Sequence, residues 1–144
     1  MDQSQSQQAH QAKEAPPRIL VGICSCLKYP EKREAVRTTW MARAVNGIEC
    51  RFFVGGGQPV DGEDDTIVLA VDDSYGLLPG KVIAFFRHAL EHFEFDWLFK
   101  CDDDTYVALD RLRTLLEFDV EMVGNETLAD RGSPSGGAGY LLSR

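Results

Sequence analysis

The chain has 144 residues, 44% hydrophobic and 26% charged, the make-up of one globular domain with a core of its own. A net charge of −8 and a pI near 4.8 argue against a nucleic-acid binder, which presents a basic face. No apolar run approaches the ~20 residues of a membrane span, and no basic-then-apolar leader opens the sequence.

Residues 1–17, rich in Gln and Ser and closed by Pro16-Pro17, are predicted to form a disordered tail before one domain over 18–144. Arg18 to Cys26 is a continuous apolar run, the pattern of a buried strand. Pro30 opens a helix whose apolar stripe includes Ala35, Val36 and Trp40. Cys50 to Val54 reads as a second strand, ended by three glycines, and Thr66 to Val71 as a third after an acidic loop. Residues 72–80 read as an irregular loop containing Pro79. Lys81 to Phe93 repeats apolar residues at helical spacing. Trp97 to Cys101 is a strand, Leu109 to Phe118 a helix and Glu121 to Gly124 a short strand. Gly136 to Gly139 reads as a flexible loop running into Tyr140-Leu141-Leu142. Alternating strands and helices predict an α/β class, with a largely parallel sheet. Cys24, Cys26, Cys50 and Cys101 lie in or beside apolar runs without zinc spacing, so they are expected as free, buried thiols. Asn125-Glu126-Thr127 fits a glycosylation sequon, taken as incidental.

Asp102, Asp103 and Asp104 follow an apolar strand. Adjacent carboxylates repel and resist burial. At a strand's C-terminal end, where α/β sheets bind ligands, they fit a hard divalent cation beside a phosphorylated ligand. They equally fit a solvated acidic cap of the next helix. Lys32, Arg33 and Arg37 form a cationic cluster after the first strand, and Asp72 to Tyr75 a polar loop before Lys81. Read alone, each suits a solvated helix face or a turn. The Gly-rich stretch matches neither dinucleotide nor Walker spacing, and suits close backbone approach to a ligand.

Four segments, in order, resemble glycosyltransferase family 31, the β-1,3-galactosyltransferase and Fringe-like enzymes. They are Arg33 to Trp40, Asp73-Ser74-Tyr75 with Leu78 and Lys81, Phe99 to Val107, and Gly136 to Ser143. Together they cover about residues 18–144. The resemblance implies a GT-A-like three-layer α/β/α sandwich and an inverting transferase moving a sugar from a nucleotide sugar, with a UDP-sugar expected, to a saccharide or glycoconjugate hydroxyl. It implies Mn²⁺, with Mg²⁺ as the substitute, held by Asp104 and by Asp102 directly or through water or the ribose. Arg33 and Lys81 are implied as donors to the nucleotide or its phosphates, Asp73 as a contact to the uridine or sugar end, and Asp103 as a further contact. Gly136 and Gly137 are implied to border donor sugar and acceptor. Arg37 and Trp40 are implied to hold the first helix on the sheet.

Some features depart from the family pattern. Leu77 and Pro79 stand where the family carries Asn and Thr, while Cys101 and Tyr106 are milder variants. The family's acidic segment, which carries or neighbours the catalytic base, follows the glycine motif by tens of residues, and no residue after Tyr140 supplies it here. No base is assigned; Asp130 has only its charge in its favour. The 144-residue form is therefore expected to bind donor and transfer poorly, and a catalytically incomplete nucleotide-sugar-binding protein is the competing reading. The eukaryotic relatives are anchored Golgi proteins. The expected location is the cytoplasm for a bacterial or viral protein and the Golgi lumen for an excised eukaryotic region.

Overall fold

The structure, a computed structural model, describes residues 15–43, 45–125 and 134–144. Most of the expected tail, Glu126 and Thr127 of the sequon, and Asp130 lie outside the described residues.

The elements run β1 (Ile19–Cys24), α1 (Pro30–Thr38), β2 (Ile48–Val54), β3 (Thr66–Val68), α2 (Leu78–His92), β4 (Trp97–Asp102), β5 (Met122–Gly124) and β6 (Tyr140–Ser143). A single 3-10 turn, Tyr75–Leu77, precedes α2, and a longer 3-10 helix, Leu109–Glu117, follows β4. The six strands form one sheet in the order β3-β2-β1-β4-β6-β5. The first four in that order are parallel; β6 pairs antiparallel with β4 and with β5. The class is α/β with a mostly parallel sheet covered on both faces, consistent with a GT-A-like sandwich.

β1 is buried along its whole length, and its alternate residues serve two cores. Ile19, Val21 and Ile23 meet Val36 and Trp40 from the α1 side and Leu109 and Leu112 from the long 3-10 helix. Leu20 and Cys24 meet Phe85 and Ala89 of α2 on the other face. Gly22 shares this second face. A Cβ there would lie 2.2 Å from Cε1 of Phe85, so the glycine lets that ring settle on the strand and stack on Phe53, with centroids 4.1 Å apart.

Three predicted elements differ. Pro79 and Gly80 sit in the first turn of α2, where a missing N–H costs nothing, instead of in a loop. Residues 109–117 wind as a 3-10 helix. Leu109 and Leu112 are buried and Leu115 packs beside them, a spacing of three that matches three residues per turn. Residues 140–143 form a strand that extends the sheet beyond β4. β3 ends at Val68, yet Leu69 N–H still donates to Val54 O, and Gly57 and Gly56 N–H donate to Leu69 O and Val71 O. Among the described residues, no helix is long and apolar enough to cross a membrane. All four cysteines are free; Cys24, Cys50 and Cys101 are buried and Cys26 half-buried.

Candidate donor site

Strand order reverses at β1: β2 and β3 lie to one side and β4 to the other. The C-terminal ends of β1 and β4 therefore flank a topological switch point, where open α/β sheets bind ligands. A cavity of about 410 Å³ opens there, lined by Ser25, Tyr29, Lys32, Tyr75, Lys81 and Asp102 to Asp104 among others.

Burial sorts the three aspartates. Asp104 is 68% exposed at the rim, and Asp102 is 32% exposed with Oδ1 held 2.6 Å from Nζ of Lys100. Asp103 turns inward. Its Oδ2 accepts a 2.7 Å hydrogen bond from Ser25 Oγ, and its backbone N–H donates to Cys24 O. Lys32 Nζ lies 3.5 Å from Asp103 Oδ1 and 3.8 Å from Asp104 Oδ2. Those carboxylates, Asp103 first, raise the Lys32 pKa above its usual value.

Lys100 reaches out from the middle of β4 and is 2% exposed. Its Nζ also donates to Gly136 O at 2.8 Å. Thr105 Oγ1 donates to Gly137 O at 2.7 Å, and Asp102 N–H to the same oxygen at 3.3 Å. The glycine loop is thus tied to the aspartate turn. A Cβ at Gly137 would press to 3.3 Å from Asp102 Oδ2, and one at Gly136 would lie 3.8 Å from Lys100 Nζ.

Asp73 is a hub. Oδ1 accepts from Gly55 N–H and from Lys81 Nζ, both at 2.8 Å, and Oδ2 accepts from Leu27 N–H at 2.7 Å. Burial alone would raise its pKa. Hydrogen bonds from Cys26, Lys81 and the two amides outweigh burial and hold it at about 2. Lys81 is 4% exposed, and its other contact is Ser25 O at 2.7 Å.

Arg33 is placed differently from the sequence expectation. At 1% exposure it does not line the cavity. Its Nε and Nη2 donate to Glu63 at 2.7 and 3.0 Å, and its Nη1 to Cys26 O at 2.6 Å and to Ser25 Oγ at 3.3 Å. Arg37 joins the same cluster through Glu63 and Asp65, with its guanidinium 4.9 Å from the Phe52 ring. The Arg33 hydrogen bonds, aided by Arg37 and Thr66, overcome burial and hold the Glu63 carboxyl at about 2. Trp40 is buried in the core, as expected.

The structure therefore gathers Asp73, Lys81, Asp102, Asp103 and Asp104 around one cavity, sets Gly136 and Gly137 against Asp102, and leaves Arg33 beneath the floor. Ser25, Tyr29 and Tyr75 line the cavity and Lys100 ties Asp102 to the glycine loop, and none of the four was named as a site residue from sequence. Lys100 carried a signal, a lysine inside an apolar strand run. Among the described residues no three His, Cys, Asp or Glu converge as a closed metal cage. Asp102 and Asp104 offer instead an all-oxygen pair at the cavity edge, a donor set that suits a hard cation completing its shell with phosphate and water.

Comparison with known proteins identifies the family. The family model described as "Galactosyltransferase" matches residues 31–129. Probable beta-1,3-galactosyltransferase 12 of Arabidopsis thaliana is 31% identical over 115 residues, which cover 67% of this chain and 31% of the relative. Beta-1,3-galactosyltransferase 6 of Mus musculus is 29% identical over 110 residues, covering 65% and 34%. Glycoprotein-N-acetylgalactosamine 3-beta-galactosyltransferase 1 of Xenopus laevis is 36% identical over 92 residues, covering 58% and 26%. The matched segment thus amounts to about a third or less of each relative. With more than half its length matched by the family model, the chain belongs to the galactosyltransferase family.

Proposed function

We propose that the chain binds a nucleotide-sugar donor, a UDP-sugar, in the crevice between β1 and β4, and transfers the sugar with inversion to a saccharide or glycoconjugate hydroxyl. The observation that supports this is the meeting of Asp102 and Asp104 with Lys32 around one cavity at the sheet's switch point. Asp102 and Asp104 would hold Mn²⁺ or Mg²⁺. Such a cation, bound with the diphosphate, neutralises leaving-group charge.

The other residues have distinct tasks. Lys32 and Lys28 are the cations with solvent access at the cavity, so they suit phosphate oxygens. Tyr75, 90% exposed on its 3-10 turn, offers an aromatic face to a base or sugar. Asp73 and Lys81 hold the loops after β1 and β2 and the start of α2 in one arrangement. Lys100 orients Asp102 and, with Thr105, fixes Gly136 and Gly137 where the donor sugar needs space.

The test is incubation with UDP-galactose, Mn²⁺ and a panel of saccharide acceptors. Release of UDP that depends on Mn²⁺ and is lost in Asp104→Ala is expected. Absence of consumption across a panel of UDP-sugars, with either cation, contradicts the proposal.

A further inference from the structure

Arg33, Ser25 and Asp103 form a directed chain from the core to the acidic turn. Arginine has donors only. Arg33 Nη1 must therefore donate to Ser25 Oγ, which leaves the single hydroxyl proton of Ser25 for Asp103 Oδ2 at 2.7 Å. Glu63 grips the far side of the guanidinium with both oxygens, and Cys26 O takes a third contact. Every member is buried or nearly so, with the Asp103 side chain 8% exposed. The sense of each hydrogen bond is thereby fixed: Arg33 donates to Glu63 on one side and to Ser25 on the other, and Ser25 donates to Asp103.

We infer that Asp103 anchors the acidic turn and that Ser25 and Arg33 are positioning residues of the donor site. The inference rests on the donor-site reading above. With Asp103 pinned inward, its neighbours Asp102 and Asp104 line the cavity two residues apart, where Asp102 Oδ2, the oxygen not held by Lys100, and Asp104 would share a cation. The turn is closed by Thr105 N–H donating to Asp102 O at 3.2 Å, so its shape depends on where Asp103 points. Without the Ser25 hydroxyl, Asp103 keeps Lys32 as its side-chain partner and swings toward the rim, adding a third mobile carboxylate there. An ordered turn offers a cation two placed carboxylates; a loosened one must be ordered at the moment of binding.

Ser25→Ala removes one hydroxyl and leaves the ion pairs of Arg33 with Glu63 in place; Ser25→Thr restores the hydroxyl. Three readouts are compared in the full 144-residue chain: Mn²⁺ affinity in the presence of UDP, followed by the Mn²⁺ electron paramagnetic resonance signal; uridine affinity without metal; and hydrogen exchange of the Thr105 amide in metal-free protein. Ser25→Ala is expected to weaken Mn²⁺ binding about tenfold, to speed Thr105 exchange, and to leave uridine affinity unchanged. Ser25→Thr is expected to return both affected quantities to wild type. Unchanged Mn²⁺ affinity and exchange in Ser25→Ala overturn the inference, as does an equal loss of uridine and Mn²⁺ affinity, which marks general damage. Failure of the donor-site reading shows separately, as wild-type protein that takes up no Mn²⁺ with UDP, and it removes the basis of the inference as well.

Discussion

Replacing Asp73 by Asn tests whether this motif residue serves the fold or the ligand. Its carboxylate accepts from two backbone amides and from Lys81, whose side chain is 4% exposed. The amide removes the countercharge of Lys81, and its NH2 group replaces one acceptor oxygen, so the donors that now share two oxygens are left with one. Removing one partner of a buried ion pair costs about 3 kcal/mol or more. For a chain of this size that lowers Tm by on the order of 10 °C. Differential scanning calorimetry reads the change directly. Adding Lys81→Met to Asp73→Asn removes the stranded charge and should recover part of the loss, which identifies its origin. A Tm for Asp73→Asn within about 2 °C of wild type would refute the hub reasoning and return Asp73 to the role of a ligand contact.

Acid should weaken the fold. Glu63 and Asp73 both titrate at about 2 in the folded chain, below their ordinary values of 4.5 and 3.8. The stability they contribute is full above about pH 4.5 and is lost as pH falls toward 2; for Glu63 it is on the order of 3 kcal/mol. Urea melts between pH 7 and 2.5 should show the decline, and Glu63→Gln should flatten it; an unchanged slope in that variant contradicts the assignment. Lys32→Ala should weaken UDP binding three- to tenfold, because it deletes a charge-assisted hydrogen bond to phosphate, while uridine binds as before; equal weakening of both would place Lys32 outside the phosphate site. Gly22→Ala should cost about 1–3 kcal/mol by overpacking Phe85, and a neutral effect in a denaturant melt would show that the ring has room to move.

The strands that build the switch point were legible because burial on both faces leaves apolar runs, unbroken in Ile19–Cys24 and interrupted by Lys100 alone in residues 97–101. β6 was harder to read: its four residues follow a glycine stretch, and they are ordered by pairing with β4, a contact distant in sequence. The chemistry of the site was legible in residue type, and less so in direction. Arg33 and Lys81 were read as ligand-facing cations, yet each lies on its helix's core stripe, Arg33 with Val36, Lys81 with Phe85 and Ala89. A cation at i, i+3 or i+4 to buried apolar residues points inward and seeks an internal carboxylate or carbonyl. Lys32, one residue before Arg33 and about 100° around the helix, faces the cavity instead. The inward turn of Asp103 had no local signal, because its partner Ser25 is 78 residues away.

In the proposed donor site, Asp102 and Asp104 bind a nucleoside diphosphate through a divalent cation. Isothermal titration of UDP into the chain, with Mn²⁺ and then with EDTA, tests it most directly, alongside Asp104→Ala under both conditions. Binding with Mn²⁺ is expected to weaken at least tenfold in EDTA, and Asp104→Ala to keep the wild-type Tm and lose the Mn²⁺-dependent part. Equal UDP affinity with and without Mn²⁺, or full Mn²⁺ dependence in Asp104→Ala, would contradict it.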